Sequence, residues 1–151
     1  NAKNNGNNID IQNALLKAYR GAIYIGLFIY VGYFIAGRFV IIYIFPDLSV
    51  KLISILDVGM LSILFSGLAA INSQYLFFNN YSNKRLIRTL IALSFNVVWN
   101  MLFIPKLGVM AAVWGYLITQ MIMGVLLNIF DKLTRELFKL QLKAIFTVRV
   151  K

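Results

Sequence analysis

Four stretches of this chain, residues 21–45, 52–78, 86–104 and 109–130, are apolar over lengths that match the hydrocarbon core of a bilayer. A helix needs roughly 20 residues to cross that core. Inside lipid, only helices and closed barrels satisfy their own backbone groups. The apolar runs here are continuous instead of alternating, so helices are expected. The predicted fold class is all-α: a polytopic membrane protein of four transmembrane helices with amphipathic ends. Composition agrees, with 60% hydrophobic and 13% charged residues, where a soluble domain has about 45–50% and 25%.

The segments outside the spans divide the chain into three parts. Residues 1–20 read as a cytoplasmic linker followed by an amphipathic lead-in: 1–8 are Asn-rich and expected to be a loop, and Ile11, Ala14, Leu15 and Ala18 then recur at helical spacing. Residues 21–130 form the four-helix transmembrane region. Residues 131–151 are a basic amphipathic cytoplasmic tail, with Leu133, Leu137, Phe138, Leu140 and Leu142 among cations over 131–146, expected to lie on the membrane surface. Residues 147–151 carry no readable pattern. The chain opens on Asn, without a signal peptide, and is expected to be a piece of a longer protein.

The net charge of +10 would suggest nucleic acid in a soluble protein, but here the cations sit in loops and tails. Four spans place the leading segment, the middle loop and the tail on one side. Those regions hold Lys3, Lys17, Arg20, Lys84, Arg85, Arg88, Lys132, Arg135, Lys139, Lys143, Arg149 and Lys151, twelve of the 15 Lys and Arg residues. Only Lys51 and Lys106 fall in the opposite turns. The positive-inside rule therefore puts both ends in the cytoplasm.

With no cysteine and no histidine, disulfides, imidazole or thiolate metal sites and every His- or Cys-based catalytic arrangement are excluded. Asp and Glu total five, too few within the membrane for an acid–base carboxylate pair. No Gly-rich phosphate loop precedes a helix. The expectation is a protein that is not an enzyme and uses no metal or cofactor.

Polar residues inside the spans are the candidate site. Arg38 and Asp57 are the two charges placed within membrane segments, at about equal depth from their shared turn, so an ion pair is open to them. Such a pair would either fix two helices in register or line a water-filled path, where a guanidinium suits a phosphate; the third possibility is that Arg38 snorkels to the outer headgroups. Ala22, Gly26, Tyr30, Tyr33 and Gly37 share a face of the first span, and Gly59, Ser62, Ser66, Ala69 and Ser73 share one of the second. Asn96 and Asn100 share a face of the third span, open to interhelical hydrogen bonds or to a sugar. Gln120, Gly124 and Asn128 share one of the fourth. Between the third and fourth spans, Ile104-Pro105-Lys106-Leu107-Gly108 is expected to be a tight corner, with helix disfavoured at Ile104 and positive φ tolerated at Gly108.

Asn96, Asn100, Ile104-Pro105, Gly108 and the small pair Ala111-Ala112 together resemble the last helix pair of the polysaccharide (O-antigen) flippases. These belong to the multidrug/oligosaccharidyl-lipid/polysaccharide exporter superfamily. Ala111 stands where that family often has Gly, and Trp114 interrupts a run that is usually small or aliphatic. The resemblance covers about residues 11–146. It implies a C-terminal part of a twelve-helix transporter whose N-terminal half is missing here. It also implies movement of an undecaprenyl-pyrophosphate-linked oligosaccharide across the bacterial inner membrane by alternating access, in lipopolysaccharide biosynthesis. On that resemblance the substrate pathway would draw on Arg38, Asp57, Asn96, Asn100 and Gln120, with membrane lipid and the missing half as partners and no nucleic acid. A membrane glycan polymerase would need large outer loops, whereas the outer turns here are short. A non-transporting anchoring or interaction protein remains the other alternative.

Overall fold

A computed structural model describes the backbone of residues 2–146, with side chains from 10 to 146. The chain is an all-α polytopic membrane protein: the described residues include four helical segments long and apolar enough to cross a membrane, and no strand. The expected tail at 147–151 lies outside the described residues.

The first span is one rod. Helix α1 (Ala2–Gly32) passes through a π-helical turn (Tyr33–Gly37) into α2 (Arg38–Ile44). The loop expected over residues 1–8 is replaced from Ala2 onward by helix continuous with the span. A 35-residue apolar segment (Asp10–Ile44) would be roughly 50 Å long, well beyond a core of about 30 Å, so part of the rod stands clear of the membrane. Phe45 leaves helical geometry, a 3₁₀ turn (Pro46–Leu48) reverses the chain, and α3 runs over Ser49–Phe78. Asn80, at φ 60°, takes the left-handed conformation that Asn tolerates. Helix α4 then covers Ser82–Leu107.

Two boundaries of the third span are corrected. Its helix starts at Ser82, so Lys84, Arg85 and Arg88 belong to it and not to a loop. It also runs through Pro105 to Leu107. Pro105 forfeits only the single bond its nitrogen would give to Met101, which a helix of this length absorbs. The turn is made by Gly108 alone, at φ 62° and ψ −145°, a conformation strained for residues with a Cβ. Helix α5 (Val109–Met121), a π-helical turn (Ile122–Leu126) and α6 (Leu127–Phe130) form the fourth span. After a bend at Asp131, α7 (Arg135–Phe146) folds back against α1.

Helix α3 is central, with α1 on one side and α5 on the other, and α4 packs mainly on α5. Small residues permit the close approaches. Ala22 lies against Gly67, Gly26 against Leu64, and Gly124 so near Phe65 that a Cβ there would stand 2.8 Å from the Phe65 carbonyl oxygen. Both faces of α3 thus meet protein, as its polar stripe and the opposite Asp57 require. Phe28, Phe39, Tyr43 and Met101 are exposed, as lipid-facing side chains of a membrane protein are.

The lead-in packs on the bundle through Leu15, one of its four apolar residues at helical spacing, and through the adjacent Leu16 and Tyr19. Leu16 and Tyr19 are buried against Leu68 and Ala144, whereas Ile11, Ala14 and Ala18 are exposed. Both faces of this segment are apolar, and α7 selects the one that carries Tyr19. The amphipathic α7 buries Leu137, Gln141 and Ala144 and exposes Leu142, Ile145 and Phe146.

Candidate functional site

The polar residues of the spans gather in three places: near the turn between the first two spans, between α4 and α5, and at the opposite end of the bundle. Near the turn between the first two spans, Arg38 pairs with Asp57. The guanidinium donates from Nη2 to Oδ2 at 2.5 Å and from Nε to Oδ1 at 3.3 Å. The Tyr33 hydroxyl donates to Asp57 Oδ1 at 2.9 Å. Arg38 also lies 3.8 Å over the ring of Phe34, a cation–π contact.

The π-helical turn makes this cluster possible. Residues five apart on a regular α-helix point about 140° away from each other. In the π turn the Arg38 N–H bonds to the Tyr33 carbonyl, so the two residues stack on one face and both reach Asp57. Gly37 leaves room for the phenol ring, since a Cβ there would meet Tyr33 Cδ2 at 2.6 Å. π turns of this kind recur at functional sites. The side chains of Arg38 and Asp57 are 30% and 33% exposed, so the pair is half open to its surroundings.

Asn96 ties α4 to α5, and Asn100 supports it from within α4. Asn100 Nδ2 donates to Asn96 Oδ1 at 2.9 Å, Asn96 Nδ2 to Thr119 Oγ1 at 3.1 Å, and Thr119 in turn to the Gly115 carbonyl at 2.7 Å. Trp99 Nε1 donates to the Ala111 carbonyl at 2.9 Å, with its ring against Gly115. Ala111 is fully buried at this contact. Asn100 Oδ1 is buried without a hydrogen-bond partner. No hydrogen bond among the described residues joins this ladder to Arg38 or Asp57. Gln120 is half-buried and joins neither cluster; the π turn at Ile122–Leu126 lies between it and Asn128.

No family model, curated protein or solved structure matches this chain.

Another polar cluster ties the other end of the bundle together, and little in the residue pattern points to it. Arg88 is buried, with 7% of its side chain exposed. It donates to Asn128 Oδ1 at 3.0 Å, to the Leu127 carbonyl at 3.2 Å, to Asp131 Oδ2 at 3.1 Å and to Thr134 Oγ1. Lys84 Nζ donates to Asp131 Oδ1 at 3.1 Å. Arg88 is thus a buried charge inside the third helix, beyond the expected Arg38 and Asp57. Nearby, Asn72 Oδ1 accepts from Tyr19 at 2.7 Å and from Gln141 at 3.1 Å. The Gly124 carbonyl, inside the π turn of the fourth span, accepts from Asn72 at 2.8 Å and Gln141 at 2.9 Å. All four spans and α7 meet in these contacts. Burial pushes the Asp131 carboxyl up, but hydrogen bonds from the Leu133 N–H and Lys84, with the charges of Lys84 and Arg88, outweigh it and hold the carboxyl below its ordinary 3.8.

Proposed function

We propose that this chain is part of a flippase that carries a lipid-linked oligosaccharide across the bacterial inner membrane by alternating access, with both described ends cytoplasmic. The observation that supports it is the partial exposure of Arg38 and Asp57 inside two apolar helices. Charges turned toward acyl chains are costly and rare, and charges within spans usually face a water-filled path. Arg38 offers a planar fork of donors that matches a phosphate, and Asp57 occupies that fork at rest. An undecaprenyl-pyrophosphate headgroup would displace the carboxylate, which then recovers the guanidinium when the headgroup leaves. In this reading the Asn96–Asn100 ladder stiffens α4 against α5, no residue performs a covalent step, and the other helices of a twelve-helix transporter complete the cavity.

A second reading rests on the completeness of the Asp57 contacts. Both carboxylate oxygens are engaged by Arg38, and Tyr33 adds a third bond. That arrangement suits a register clamp in a membrane anchoring or interaction protein. Arg38→Ala separates the two. In cells making the complete transporter, the flippase predicts loss of surface glycan with the variant still present in the membrane. Normal glycan export by Arg38→Ala would contradict it.

A further inference from the structure

At the end of the bundle that carries Arg88, α4 and α6 leave an open groove of about 330 Å³ between them. Its mouth is polar, formed by Lys84, Arg88 and Asp131. Its floor is apolar: Ile87 and Ile91 on α4 face Leu127 and Phe130 on α6. Lys84 lies near the helix start and Ile91 two turns on, so charge gives way to hydrocarbon over roughly 10 Å along the membrane normal. A groove layered in this way has the layering of a phospholipid.

We propose that this groove holds an anionic phospholipid, its headgroup phosphate on the Lys84 ammonium and an acyl chain along Ile87 and Ile91. The charge balance favours an anion, since two cations share one carboxylate and the lining keeps a net positive charge. The two cations divide the work. Arg88 is buried and committed to Asn128, Leu127, Asp131 and Thr134, so it contributes field only. Lys84 is 43% exposed and engages a single carboxylate, while an ammonium has three donors. Ile87, Ile91 and Phe130 are all exposed along the trough, where a chain would cover them. Basic pockets between membrane helices take lipid headgroups by this chemistry. The proposal rests on the membrane fold alone and stands or falls apart from the transport reading.

Lipid retention by the purified protein, read by native mass spectrometry, tests it with phosphatidylglycerol, phosphatidylcholine and inorganic phosphate as separate probes. Phosphatidylglycerol should be retained more than phosphatidylcholine, and inorganic phosphate should not compete at equal concentration. Lys84→Gln should weaken phosphatidylglycerol about fivefold, the contribution of one basic residue at an anionic surface, and Lys84→Arg should keep it. Ile91→Trp, which fills the trough, should reduce retention of both lipids, whereas Lys139→Gln on the far exposed face of α7 should change nothing. Equal retention of the two lipids would overturn the proposal, as would full retention by Lys84→Gln. Competition by inorganic phosphate would make the site one for a free anion and overturn it equally. A loss in Lys139→Gln matching that in Lys84→Gln would reduce it to diffuse charge.

Discussion

Arg88 on α4 and Asp131 at the end of α6 are 43 residues apart in the chain and meet at 3.1 Å, with Arg88 buried among four hydrogen-bond acceptors. This contact locks the start of the third span to the end of the fourth and to the bend that leads into α7. Removing Arg88 leaves Asp131 paired with Lys84 but takes the donor from the buried Asn128 Oδ1, at a cost of about 1–3 kcal/mol. Arg88→Ala should lower unfolding stability by that order in detergent denaturation, while Arg85→Ala, on the half-exposed neighbour, should change it by far less.

Stability also depends on acid through Asp131: burial pushes its carboxyl up, and chiefly the Leu133 N–H and Lys84 hold it down. The Asp131 carboxyl is held below its ordinary 3.8 in the folded protein, so the unfolded chain binds the proton more readily. Its contribution is then complete above the ordinary carboxylate range and is lost as pH falls through the lower folded value. Thermal unfolding followed from neutral pH downward should show a loss below about pH 4 that Asp131→Asn reduces.

Glycines in the spans should differ sharply in their tolerance. A Cβ at Gly124 would meet the Phe65 carbonyl oxygen at 2.8 Å, a backbone atom that cannot rotate away, whereas one at Gly21 would meet nothing within 4 Å. Gly124→Ala should cost about 1–3 kcal/mol by forcing α3 from the fourth span. Gly21→Ala should be neutral or slightly stabilising, by up to about 1 kcal/mol, because Ala favours helix. Paired denaturation curves of the two variants check this.

The four spans were legible because hydrophobic length is a local property, and the Arg38–Asp57 pair because matched depth on adjacent antiparallel helices follows from counting residues. The cluster around Arg88 was hidden for the opposite reason. Arg88 lies nearly two turns inside a helix that starts at Ser82, ahead of the expected 86, among cations that read as topogenic. Its partners, Asn128, Asp131 and Thr134, become neighbours only once the fourth span and its bend are folded. Tyr33 was seen on a small-residue face, but its reach to Asp57 depends on a π turn that periodicity at 100° per residue does not reveal. The lead-in's spacing marks Leu15 but not Leu16 and Tyr19, since a segment apolar on two faces does not say which one α7 will cover.

Orientation is open to direct labelling, because the chain has no cysteine and each introduced thiol is the sole target within it. Lys106 is exposed beside the Gly108 turn, and Lys139 is exposed on α7. If both described ends are cytoplasmic, as proposed, Lys106→Cys should react with an impermeant thiol reagent in intact cells. Lys139→Cys should react only after the membrane is opened.

The transport reading depends on Arg38 acting on a substrate and not merely on Asp57. Exchanging the two charges, Arg38→Asp with Asp57→Arg, preserves an ion pair across the same helices but moves the guanidinium to the other one. Membrane level and unfolding stability of the double variant, measured beside surface glycan in the same cells, decide the matter. The account predicts a stable, membrane-inserted protein without glycan export. Export restored to the level of the original pair would contradict it and leave Arg38 and Asp57 as a clamp between two helices.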